Sequence, residues 1–263
     1  MGESVVFGAG LYGLGKAWYK TPKSKFHTFN DLHEWKQIDK LGHTFWAFQM
    51  SRVSLAAYQW AGLPQRDAAF YSGVNGFMFQ TPIEIMDGFA PEYGFSAGDI
   101  AANFSGSALY VAQQWAWSEN RISPKFSWHP TQFAKMRPEL LGKNLSEQWL
   151  KDYNGQTYWV SANLASFAGT ETKIPRLLNV AIGYSIENMI AADPEKSKRL
   201  GQKPIRQFFF SPDLDLTRIK TNSEFLRGML FLANMLKIPA PALEIQIRPE
   251  RPKLKIKFHP IYF

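Results

Sequence analysis

The chain has 263 residues, enough to bury a sizeable core in one large domain or two small ones. Its formal charge of +8 and pI near 9.5 favour anionic partners, but no long Lys/Arg run and no nucleic-acid module signature occurs, so nucleic acid is not an expected partner. The absence of cysteine excludes a disulfide framework and thiolate chemistry.

Aromatic content is high, with 21 Phe, 10 Tyr and 9 Trp. Such an excess fits a large core, a membrane-interface belt or a partner surface. Ser4 to Gly15 is apolar, yet no basic stretch precedes it and no small-residue cleavage site follows. A secretory signal peptide is therefore not expected within the chain. No run of 18 uncharged apolar residues occurs, which disfavours an ordinary multispanning inner-membrane protein.

Residues 4–20 carry Gly8, Gly10, Gly13 and Gly15 and read as a closely packed helix, with a strand as the alternative. Asn30 or Asp31 can cap a short helix reaching Trp35. Residues 37–62 form the clearest helix, with Leu41, Phe45, Phe48, Val53 and Leu55 at helical spacing and Gly62 and Pro64 ending it. A second helix is expected from Gln65 to Met86, with a kink at Pro82. Ser96 caps a third, running to Asn120. Small residues on the second and third helices predict short interaxial distances.

Residues 121–145 read as irregular and aromatic, followed by a short helix over Ser146 to Lys151 and a turn at Asn154-Gly155. TYWVSANLASF, LLNVAIGYS and IRQFFFSPDLDLTRI are β-prone, and Ser223 to Lys237 returns to helical periodicity. The last segment reads as a hairpin turning at Pro249 to Pro252. Leu243, Ile245 and Ile247 alternate with Glu244, Gln246 and Arg248; Leu254, Ile256 and Phe258 alternate with Lys253, Lys255 and Lys257. The lysines are either the solvated face of a half-buried hairpin or a basic strip that binds an anionic surface. The fold class expected is mainly α with a smaller β part. A helical bundle occupies 1–122, and a mixed α+β region with β-hairpins occupies 123–263.

Three polar pairs interrupt the helices. Asp39 and His43 are four apart, Glu84 and Asp87 three apart, and Asp99 and Asn103 four apart, so each pair shares a helix face. With Lys40 they offer an imidazole, carboxylates, an amide and an ammonium. His43, Glu84, Asp87 and Asp99 are the candidate catalytic groups, and Asp39, Lys40, Asn103, Lys253, Lys255 and Lys257 the candidate binding groups. The inventory suits general acid–base work or a divalent metal. It equally suits structure, since carboxylates near helix N-termini satisfy free N–H groups and a buried histidine can simply be hydrogen-bonded. No nucleophile elbow, P-loop, zincin or dinucleotide fingerprint is present, and the sequence leaves the cofactor unknown.

The order Asp39-Lys40-Leu41-Gly42-His43, then Glu84-Ile85-Met86-Asp87-Gly88, then Tyr93-Gly94-Phe95-Ser96-Ala97-Gly98-Asp99-Ile100-Ala101-Ala102-Asn103-Phe104-Ser105-Gly106 resembles the YfiM-like family of predicted periplasmic lipoproteins. Longer members, of the kind found in Bacteroidota, also carry stretches similar to Lys151 to Trp159, Gly183-Tyr184 and Asp213 to Ile219. The resemblance implies the Gram-negative envelope, at the periplasm or outer membrane, and a shared site rather than an activity. The lipobox cysteine of a lipoprotein is absent from this chain. Residues 39–106 are also similar, more distantly, to VanZ-like membrane proteins. Two functions follow as expectations. One is a non-catalytic accessory subunit of an outer-membrane assembly or secretion complex, with envelope proteins and membrane or anionic lipid as partners. The other is an enzyme acting on an envelope lipid or lipid-linked glycan. A metal-binding module is a third.

Overall fold

The computed structural model describes residues 24–169, 171–248 and 251–263. Residues 4–20 and part of the Pro249–Pro252 turn lie outside the described residues, and Lys253 lies outside the described side chains. The described chain divides into two compact units, one of residues 24–32 with Trp46–Ser118 and one of His33–Phe45 with Glu119–Phe263. It is an N-terminal three-helix bundle followed by a six-stranded antiparallel sheet, the expected fold class.

The helices are α1 (Ile38–Trp60), α2 (Gln65–Asp87) and α3 (Ala97–Trp117). Pro82 lies inside α2. Ser96 caps α3, its hydroxyl accepting the Asp99 N–H at 3.1 Å. In the first unit Phe48 and Leu55 of α1 pack with Ala68 and Ala69 of α2 and Tyr110 of α3. Small residues set the approach. A Cβ on Gly76 would lie 2.4 Å from the Ala47 carbonyl and 2.1 Å from Ser51 Oγ. The helices bury polar faces, including Gln49, Ser51, Arg52, Gln80, Glu84, Asn103 and Ser107, and leave Phe70, Val74, Met78 and Phe104 exposed. Among the described residues no helix is long and apolar enough to cross a membrane.

The short helix expected to reach Trp35 is a different structure. Trp35, Lys36 and Gln37 all have positive φ, between 44° and 67°, forming one left-handed turn before α1. Asn30 and Asp31 do not cap it. Asn30 Oδ1 accepts the Leu32 N–H, and Asp31 accepts from Ser96. Each non-glycine residue in this region costs roughly 1–2 kcal/mol, and sheet residues of the same unit hold the turn. Tyr184 Oη donates to the Lys36 carbonyl at 2.6 Å, and Arg206 donates to Gln37 Oε1 at 2.6 Å.

The strands β1 (Ile122–Trp128), β2 (Gln156–Asn163), β3 (Leu178–Glu187), β4 (Ile205–Leu214), β5 (Ala240–Arg248) and β6 (Arg251–Tyr262) pair in sequence order. β1 corrects the irregular reading of 121–145: Ile122–Trp128 pairs with β2 along its whole length. Pro124 within it hid the alternation, and a proline is tolerated on an outer strand. The far edge of β1 is bridged by the chain after α4 (Glu224–Ala233), through Phe126 N–H to Met235 O and Lys237 N–H to Phe126 O. The sheet curls enough to bring Tyr262 of β6 within 4.3 Å, ring to ring, of Phe209 on β4 and 5.9 Å of Trp159 on β2.

The hairpin reverses one expectation. Its apolar positions face outward: Leu243, Ile245, Ile247, Leu254, Ile256 and Phe258 are all exposed, whereas Glu244 and Gln246 are buried. Alternation separates two faces but does not say which one turns inward. Here the curled interior is furnished with hydrogen-bonding partners, so the polar face takes it.

Candidate functional site

In the first unit the polar centre forms where α2 ends and α3 begins. Residues 24–32 run beside this junction, with the Ser24 and His27 N–H groups on the Phe89 and Gly88 carbonyls, the Phe29 N–H on the Phe95 carbonyl and the Phe95 N–H on the His27 carbonyl. The Phe26 ring packs on Phe89 and Phe95. This route delivers Asp31 to Ser96, whose hydroxyl donates to Asp31 Oδ1 at 2.6 Å while accepting from the Asp99 N–H. One carboxylate oxygen of Asp99 lies within 4.8 Å of one from Asp31 and of one from Glu84. Glu84, Asp99 and Asn103 are buried, and Asp87, the last residue of α2, is half-buried. Asp99 with Glu84, or Asp99 with Asp31, could each offer two oxygen ligands to a divalent cation. Asp31 was missed from sequence because it sits outside any helix; its distance in sequence from Asp99 gave no periodic signal.

In the second unit Asp39, Lys40 and His43 occupy the first turns of α1. Lys40 pairs with Asp39 at 3.0 Å, and His43 is half-buried. Gly42 lets the helix meet Tyr158, since a Cβ there would lie 2.9 Å from the phenol oxygen. That phenol donates to Gln156 Oε1 at 3.0 Å. Burial, with the Asp39 charge adding, pushes the Tyr158 hydroxyl well above its usual range, so it stays a neutral donor.

The sheet interior holds two further networks that sequence reading missed. Lys125 and Asp213 pair at 2.8 Å with both side chains fully buried. Lys125 also donates to the Leu214 carbonyl, Ser161 donates to Asp213 at 2.7 Å, and Asn179 donates to Ser161. Lys237 approaches Asp213 at 3.8 Å and lies over the Trp159 ring. Burial lowers the Lys237 pKa to about 8, with Asp213 opposing the shift and Lys125 adding to it. Toward the other end, Glu244 accepts from Gln207 at 2.7 Å and pairs with His259 at 2.6 Å and Lys257 at 3.5 Å. Burial works against its charge, but the bonds from His259, Gln246 and Gln207 and the Lys257 charge hold the carboxyl below its usual range. Lys257 thus reaches an interior carboxylate, while Lys255 is exposed. The one sequence signal for the first network was a lysine centred in the alternation of Ser123 to Trp128.

Residues 29–114, about a third of the chain, match the profile of a family described as "Predicted periplasmic lipoprotein (DUF2279)". The match contains all three polar motifs, in agreement with the resemblance read from them. No curated protein and no solved structure matches the chain.

Proposed function

We propose that this is a non-catalytic protein of the Gram-negative cell envelope, serving as an accessory subunit of an outer-membrane assembly or secretion complex. The family profile over residues 29–114 supports the compartment. The observation that carries the role is the number of large apolar side chains left exposed on the bundle, among them Trp60, Phe70, Tyr71, Phe104 and Trp115. Monomeric soluble proteins rarely leave extended apolar surface bare. On this reading the polar groups between the helices are structural glue, and Lys255 is an exposed basic group open to an anionic partner. Co-purification from native membranes with mass spectrometry tests it. A stoichiometric complex is the expected result, and recovery of the lone chain defeats the reading.

A second reading is an enzyme acting on an envelope lipid or lipid-linked glycan through His43, Glu84, Asp87 and Asp99. The Glu84–Asp99 pair favours it. Elemental analysis of the purified protein separates the readings. A divalent metal lost on His43→Ala supports chemistry at the site; no bound metal, with only a lower Tm for His43→Ala, supports glue.

A further inference from the structure

The inner side of the sheet carries buried charged and polar groups beside the Trp159–Phe209–Tyr262 cluster, and its outer side carries a row of large apolar side chains. In register across five strands, Val160 of β2 stands beside Ile182, Phe210, Leu243 and Phe258. All five are exposed, between 46% and 63%. The next row adds exposed Ile245 and Ile256 on β5 and β6. Four strand spacings make the row about 19 Å wide. It contains no polar side chain. The opposite face of the same strands carries the buried Lys125–Asp213 pair and the Glu244 network.

A sheet in water with one apolar face turns that face to its core, and a protein-binding patch carries a polar rim with hydrogen-bonding groups. This row does neither. Apolar-out and polar-in alternation is what hydrocarbon asks of a sheet. On β2 and β3 the exposure is confined to this row, since Tyr158 and Ile186 on the same side are buried and Tyr184 donates to the Lys36 carbonyl, so the row is a shallow band of contact rather than a span. A separate element agrees. Helix α4, between β4 and β5, exposes Phe225, Leu226, Met229 and Leu232 on one side, the pattern of a helix lying in a membrane interface.

We propose that the outward face of β2–β6 lies against the acyl chains of a lipid bilayer, with α4 at its interface. The inference rests on strand register and exposure alone, and a failed co-purification would leave it standing.

The chain has no cysteine, so Ile182→Cys, Phe210→Cys and Leu243→Cys each carry a single fluorescent label on the full chain. In vesicles of phosphatidylethanolamine and phosphatidylglycerol, brominated acyl chains quench all three labels and aqueous iodide does not. A Lys173→Cys label, off the face, stays open to iodide. Amide exchange over 254–258 slows on vesicle binding. Phe210→Arg, checked for native circular dichroism, floats with vesicles at least about tenfold less. Iodide quenching at the three face positions in the presence of vesicles overturns the proposal. So does protection without vesicles accompanied by a doubled mass, which assigns the face to a second copy.

Discussion

At the scale of single residues the strongest constraints are steric. Gly76 sits against the backbone of α1, where neither the Ala47 carbonyl nor the Ser51 N–H can swing away. Gly76→Ala therefore costs about 2 kcal/mol or more, as overpacking does when backbone must yield. Gly228, in α4, has nothing within 4 Å of an added Cβ. Gly228→Ala stabilises by about 0.5–1 kcal/mol through helix propensity alone. Paired urea titrations check both signs, and equal effects would refute the close approach of α1 and α2. The left-handed turn at Trp35, Lys36 and Gln37 is the opposite case. Its residue types announce nothing, because no glycine or asparagine marks it, and it became visible only with Tyr184 and Arg206 in place.

At the scale of elements, β1 and β4 depend on a charge pair and β5 on a carboxylate. Asp213→Asn leaves Lys125 charged and buried without its partner, a loss of about 3–5 kcal/mol. The pH response has two limbs. Glu244 is depressed when folded, so it binds fewer protons than in the unfolded chain; its contribution is present above the ordinary carboxylate range and fades as pH falls through the folded value. Lys237 is also depressed, to about 8, so between about 8 and 10.5 the unfolded chain holds more protons and stability rises with pH. Urea midpoints across pH show both limbs, Glu244→Gln flattening the acid one and Lys237→Met the alkaline one. The helices and the five expected strand segments were legible because spacing of three to four and of two is local. The pairing of Lys125 with Asp213, or Lys257 with Glu244, was not, because it requires register between strands. The candidate centre was half legible: spacing put Glu84 and Asp99 on helix faces but could not supply Asp31.

For the whole molecule the common theme is inversion, since each unit buries polar side chains and exposes large apolar ones. In plain buffer the purified chain is expected to form polydisperse aggregates of no fixed stoichiometry rather than a discrete dimer, and detergent above its micelle threshold to disperse them. Sedimentation velocity decides the point, and a monomer in plain buffer would contradict it. Composition gave no warning, because 45% hydrophobic residues is ordinary and hydropathy counts residues without regard to the side they face. The strand order carries a consequence of its own. Every strand of the sheet pairs with its neighbours in sequence, so its contacts are short in chain separation and each hairpin can close as soon as its second strand is made. Growth then runs in the direction of synthesis, and the reactive edge at every moment is the newest strand. Of the described strands the long β6 is made after the other five, so the time before it is captured by β5 is when the sheet is most open to mispairing.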